Sequence, residues 1–96
     1  MFKHQVKMQL KTGSLPLLSQ KIENTILPLL NKQKGYCNSN VFVTRQHTTA
    51  TEDTFWNTRE DAEQYQRSGY LKVLETLSEV VTTLPSAVIS EASAQN

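Results

Sequence analysis

Over the first eleven residues the chain alternates between apolar and polar side chains. Phe2, Val6, Met8 and Leu10 fall on one side with His4 among them, and Lys3, Gln5, Lys7, Gln9 and Lys11 fall on the other. A two-residue period belongs to a strand with one apolar face, so a later segment has to cover that face. Leu15, Leu18, Ile22, Ile26, Leu29 and Leu30 recur at three- and four-residue spacing, the stripe of an amphipathic helix. Ser14 is placed to cap this helix, and Pro16 is tolerated in its first turn. Pro28 lacks an N–H and crowds the carbonyl four residues back, which predicts a kink near Asn24. "NKQKG" closes the helix, with lysines near its negative end and Gly35 as a left-handed cap.

"YCNSNVFVTRQ" is predicted as a second strand and "TATEDTFWN" as a third, joined through the polar "HTT" as a hairpin. Thr58 with Asp61 predicts a capping box. The helix that follows has the buried stripe Ala62, Tyr65, Tyr70, Val73, Leu74, Leu77, Val80, Val81 and Leu84, interrupted at Ser68-Gly69 and ended by Pro85. "SAVISEAS" reads as a short fourth strand, and residues 91–96 as a frayed tail. Strand, helix, strand, strand, helix, strand is the order of an α+β sandwich with both helices on one face of an antiparallel sheet.

Ninety-six residues make a single domain spanning 1–96 with a small core. Ten Lys and Arg balance nine Asp and Glu without a charged block, so a nucleic-acid partner is not expected. The lone Cys37 cannot form an internal disulfide, which fits a reducing compartment. It is read as a small buried residue. "MFKHQVKMQL" has no apolar run of signal-peptide or membrane-span length, so a cytoplasmic protein with no membrane partner is expected. Strand three carries Trp56 on one face and Phe55 on the other, and strand two splits Val41 and Val43 from Phe42 in the same way. Apolar residues on both faces predict a second cover, most simply the same sheet of a second copy in a homodimer.

Three stretches then carry a family likeness: "ILPLLNKQKGY" (26–36), "TFWNTREDAEQYQRSGYLKVLETL" (54–77) and "LPSAVISEAS" (84–93). Together they resemble the antibiotic biosynthesis monooxygenase-like (ABM) domains. The resemblance covers nearly the whole chain and implies a ferredoxin-like βαββαβ unit that pairs into a dimeric α/β barrel. The family holds cofactor-independent oxygenases of aromatic compounds, haem-degrading enzymes, small-molecule isomerases and proteins without an assigned role, so the likeness does not settle function.

The family's reactive clefts lie between helices and sheet. The strand-three row on the face of Trp56 is Ala50, Glu52, Thr54 and Trp56, and the strand-one row is Phe2, His4, Val6 and Met8, with Tyr65 opposite. Catalytic roles are expected at His4 and Glu52, and substrate contact at Trp56, Tyr65, Val6 and Met8. Each has a plainer reading. Trp56 and Tyr65 are also natural core residues, His4 an ordinary strand residue, and Glu52 an ion-pair partner of Arg45. His47 in the hairpin is read as solvated. His4, Cys37 and His47 lack metal-ligand spacing, and no glycine-rich phosphate loop implies a nucleotide or flavin.

Haem-degrading relatives use an asparagine on strand one, a tryptophan in helix two and a histidine further along it. Those positions hold Val6, Tyr65 and Glu75 here, so haem degradation is not expected. Chemistry on a polar signalling metabolite would need more polar donors than these rows supply. The expected function is a cofactor-independent monooxygenase acting on a small phenol- or quinol-type aromatic. The alternative is a non-catalytic dimer that binds a small molecule or a partner protein.

Overall fold

The computed structural model describes residues 1–92. Its strands are β1 (Phe2–Gln9), β2 (Tyr36–Val43), β3 (Thr49–Trp56) and β4 (Ser86–Glu91). They form one antiparallel sheet in the order β2-β3-β1-β4. The helical layer is α1 (Leu15–Lys21), a π-helical turn (Ile22–Ile26), α2 (Leu27–Asn31), α3 (Arg59–Arg67) and α4 (Gly69–Leu77). This is the expected α+β ferredoxin-like arrangement, with the helices on one face. No helix among the described residues is long and apolar enough to cross a membrane.

Most local expectations have a direct counterpart. The kink due to Pro28 takes the form of the π-helical turn, centred on Asn24, in which the Leu27 N–H reaches back to the Ile22 carbonyl. Gly35 sits at φ +82, and a Cβ there would meet the Asp61 carboxylate at 2.1 Å. Thr58 accepts from the Asp61 N–H at 3.0 Å, which caps α3. The second helix divides at Ser68, where the backbone leaves the helical region (φ −131, ψ −84).

Other expectations are corrected. Ser14 is the N-cap residue of α1 but its hydroxyl makes no capping bond, donating instead to the Val80 carbonyl. The second helix ends at Leu77, well before Pro85. The β-branched run that follows favours extended chain, and it pairs with the end of β1 through Lys11 N–H to Val80 O and Thr82 N–H to Gln9 O. Leu84, assigned to the buried stripe, is consequently exposed. Cys37 is exposed rather than buried, at a β-bulge where its thiol donates to Asn57 Oδ1 at 3.2 Å. Glu91 belongs to β4 and Ala92 N–H bonds to Met1 O, while 93–96 of the expected tail lie outside the described residues.

The core lies between helices and sheet. Leu18, Ile26 and Leu30 enter it from the first helical arm, Ala62, Tyr65, Tyr70, Val73 and Leu77 from the second, and Val6, Met8, Ala50 and Trp56 from the sheet. The opposite sheet face carries Lys3, Lys7, Asn40 and Thr51 by alternation, but also Phe55, Phe42 and Val88. Phe42 and Val88 are exposed there.

Candidate functional site

The antiparallel register of β1 and β3 sets the two expected rows side by side: Phe2 beside Trp56, His4 beside Thr54, Val6 beside Glu52, and Met8 beside Ala50. Their side chains share the helix-covered face because alternate residues of a strand point the same way. Helix α3 then lays Tyr65 on Trp56, ring centroids 4.6 Å apart and 26° from parallel. Tyr36 meets the other side of the indole edge-on at 5.6 Å. The indole N–H donates to Thr54 Oγ1 at 2.9 Å, and the Thr54 hydroxyl donates to the His4 carbonyl at 3.3 Å. His4 is gripped from both sides of the Ser68 break, with Tyr65 at 5.1 Å and Tyr70 at 4.7 Å, both T-shaped. Such aromatic contacts are worth about 0.5–1.5 kcal/mol each beyond burial.

Polar groups enclosed here are only partly satisfied. His4 is fully buried and bonded through Nε2 to Gln66 Oε1, while its Nδ1 and the Tyr70 hydroxyl have no hydrogen-bond partner among the described residues. Burial lowers the His4 pKa and so favours the neutral imidazole, against the opposing effects of the Gln66 bond and of the residue's own backbone. Glu52 is buried at 3% exposure, with no hydrogen bond or ion pair among the described residues. Burial, helped by the neighbouring Asp53 charge, pushes its carboxyl up to about 7. Burial and then the Glu52 charge raise Tyr70 to about 12, and the same causes raise Tyr65 further. The expected pairing of Glu52 with Arg45 does not occur. β2 ends at Val43, and Arg45 is an exposed residue of the turn beyond it. The residue across from Glu52 on β2 is Val41, which cannot neutralise a carboxylate.

The aromatic cluster is packed shut. Trp56 and His4 have no exposed surface and Tyr65 has 1%, so there is almost no water-sized space against them. Val6 and Met8, expected to touch substrate, are core residues at 1% and 3%. Open space lies beside the cluster. A groove of about 290 Å³ runs between the first helical arm and the edge strand, with Leu15, Leu18, Ser19, Ile22 and Glu23 on its wall and Val41 and Val43 on its floor. Val41 pairs with Glu52 and Val43 with Ala50, so Glu52 stands one strand inward from the floor. His4, beside Thr54, is the diagonal neighbour of Glu52 on the same face.

The structure thus gathers His4, Glu52, Trp56 and Tyr65 on one face and adds members that the sequence reasoning did not single out. Val41 and Val43 were visible as a strand row, and Ile22 as part of the helical stripe. Gln66 carried no signal, because its partner His4 is 62 residues away in the chain. The described residues contain no group of three or more His, Cys, Asp or Glu able to hold a metal ion.

No protein-family profile and no curated protein matches the chain. Solved structures do. A monooxygenase of Streptomyces coelicolor, solved with nanaomycin D, superposes with a TM-score of 0.81 at 12% identity, covering 99% of this chain and 89% of that one. A candidate antibiotic biosynthesis monooxygenase of Bordetella bronchiseptica gives 0.78 at 10% identity, covering 96% of each. A protein of unknown function from Nitrosomonas europaea gives 0.77 at 14% identity, covering 99% of this chain and 91% of its own. At such identities the likeness is one of architecture. The chain has the fold of the antibiotic biosynthesis monooxygenase-like proteins.

Proposed function

We propose that the chain is a cofactor-independent monooxygenase that binds a small aromatic at the helix–sheet groove and uses Glu52 as its base. The observation that carries this reading is Glu52 itself, a buried carboxylate without a partner, one strand inward from an apolar groove. A carboxyl with a pKa of about 7 is roughly half ionised at neutral pH, the condition in which a general base is most effective. Removing a phenolic proton makes the ring electron-rich enough to react with oxygen directly. The sum balances without an added reductant: a phenol and O2 give a quinone and water, one oxygen atom to each, with the electrons supplied by the ring. Trp56 and Tyr65 form the rigid back of the site, His4 adds a neutral imidazole, and Val6 and Met8 hold the floor beneath them.

Oxygen uptake with phenols and naphthols tests the assignment. Glu52→Gln should lower turnover about 10²- to 10⁴-fold, the usual contribution of a general base. Unchanged turnover in this variant would sink the role of Glu52, and no uptake with any aromatic would remove the enzyme.

The closed aromatic cluster and the exposed Phe42 and Val88 favour a second reading, a homodimer that binds a small molecule or a protein without catalysis. In both readings the open sheet face pairs with a second copy. Sedimentation showing only monomer at micromolar concentration would exclude that pairing. A ligand that raises the melting temperature without oxygen consumption would select the second reading over the first.

A further inference from the structure

We propose that His47 is a specificity-determining residue of the groove, binding the carboxylate of a hydroxyaryl acid whose hydroxyl lies at Glu52. The groove floored by Val41 and Val43 does not end at Leu15 and Ser19. These two residues, about one turn apart on α1, also bound a second space of about 390 Å³, which runs on over Gly13 and Pro16 to His47. His47 is exposed there, in the hairpin turn that its N–H closes by bonding to Thr44 O.

The two ends of this longer groove differ in charge. Glu23 stands on the wall at one end, with Glu52 one strand inward. At the other end, residues 10–20 and 43–51 contribute Lys11 and Arg45 and no acid. Among the described residues neither cation is in an ion pair, and Glu79, next to the Val80 that bonds Lys11, is held by Lys21 at 3.0 Å. An anion is therefore favoured at His47 and disfavoured at Glu52, which calls for a hydroxyl able to yield its proton. The imidazole offers an N–H that a carboxylate oxygen accepts. The strand from Glu52 back to Thr49 is about 10 Å long, and His47 lies beyond its end. One ring cannot fill both spaces, whereas two fused rings substituted at opposite ends reach from one to the other. This extension rests on the small-aromatic reading above.

The probe is 6-hydroxy-2-naphthoate, with 2-naphthol as the control that lacks the carboxylate and 3-hydroxy-2-naphthoate as the isomer that crowds both groups at one end. Titration calorimetry on the native protein reads the affinities. The probe should bind about 3- to 10-fold more tightly than 2-naphthol, as expected for one added hydrogen bond at a partly exposed position. The crowded isomer should not share that gain. His47→Gly should erase the margin. Glycine is the truncation of choice because His47 adopts φ +59, a left-handed conformation that glycine enters without strain.

Equal affinity for the probe and 2-naphthol overturns the carboxylate end at His47 and leaves the small-aromatic reading standing. An equal gain from the crowded isomer, or a margin that survives His47→Gly, reveals attraction by overall charge and overturns the two-ended groove. The absence of binding heat and of any thermal shift with all three compounds removes the His47 end together with the small-aromatic reading.

Discussion

The helix-covered face of the sheet has two ends that are built differently. At one end Trp56, Tyr65, His4 and Tyr70 interlock, and large flat rings leave no gap between α3, α4 and the strands. At the other, the helical arm brings Leu15, Leu18 and Ile22 over the short side chains of Val41 and Val43, and a groove remains. Side-chain shape decides the difference, since the same sheet runs under both. The closed end can order a ligand's surroundings, and the open end can admit it. Glu52 sits at the seam.

The contrast breaks first if the two ends respond alike to truncation. Trp56→Ala should cost about 3–5 kcal/mol in urea unfolding, because it opens a large cavity in packed surroundings. Equal loss from Val43→Ala, at a half-exposed position on the groove floor, would show that the closed end is no better packed than the open one.

The seam should show itself in the pH dependence of stability. A free glutamate ionises near 4.5 and Glu52 only near 7, so between these values the folded chain keeps a proton that the unfolded chain releases. Stability should therefore fall as pH rises through this window, by about 3 kcal/mol in total, with the full penalty present above pH 7. His4 works oppositely. Its folded pKa lies below 6.5, so acidification beneath that value also costs stability, as the unfolded chain takes up a proton the folded chain refuses. Melting curves of Glu52→Gln should lose the first slope and keep the second. If the native slope persists in that variant, the carboxylate is not the group that feels burial.

A smaller effect sharpens the closed end. Tyr70→Phe removes a buried hydroxyl without a partner and should stabilise the ligand-free protein by about 1 kcal/mol. A loss of similar size would mean that the hydroxyl is satisfied in solution. Least of all should be felt at the open end: Val43→Trp fills the groove from a half-exposed position and should change stability by no more than about 0.5 kcal/mol. It should nevertheless abolish the thermal shift given by an aromatic ligand, and retained binding would place the ligand elsewhere.

Periodic patterns carried most of the fold. Alternation in residues 2–10 assigned β1 and its inward face, and the Ser68-Gly69 interruption marked the division of α3 from α4. The end of α4 was misplaced because Pro85 is a conspicuous breaker, whereas the operative signal was Val80-Val81-Thr82, whose preference for extended chain is met by the end of β1. At the site, alternation brought the right rows together but could not tell a pocket from a packed wall. That distinction depends on how closely α3 approaches the sheet, and Tyr65 stacking on Trp56 is a tertiary event. Gln66 and the groove residues were hidden for the same reason: each acquires its role only through a neighbour distant in the chain.

Leu18, Ile22, Ile26 and Leu30 are spaced by fours, and in a regular α-helix each such step overshoots a full turn by about 40°. Over three steps the stripe would wander by about 120°, yet Leu18, Ile26 and Leu30 are all at most 1% exposed. The wider turn at Ile22–Ile26 takes up the excess. In terms of chain length it is a one-residue insertion accommodated without loss of phase. Winding the same residues as an ordinary ladder would rotate Leu15 and Leu18 by about 100° relative to Leu30, away from Val41 and Val43, whereas deleting Asn24 would restore the ladder and keep the phase. The wide turn therefore keeps both halves of the arm facing the sheet despite one residue more than a plain helix needs, and the groove wall depends on that turn being kept wide.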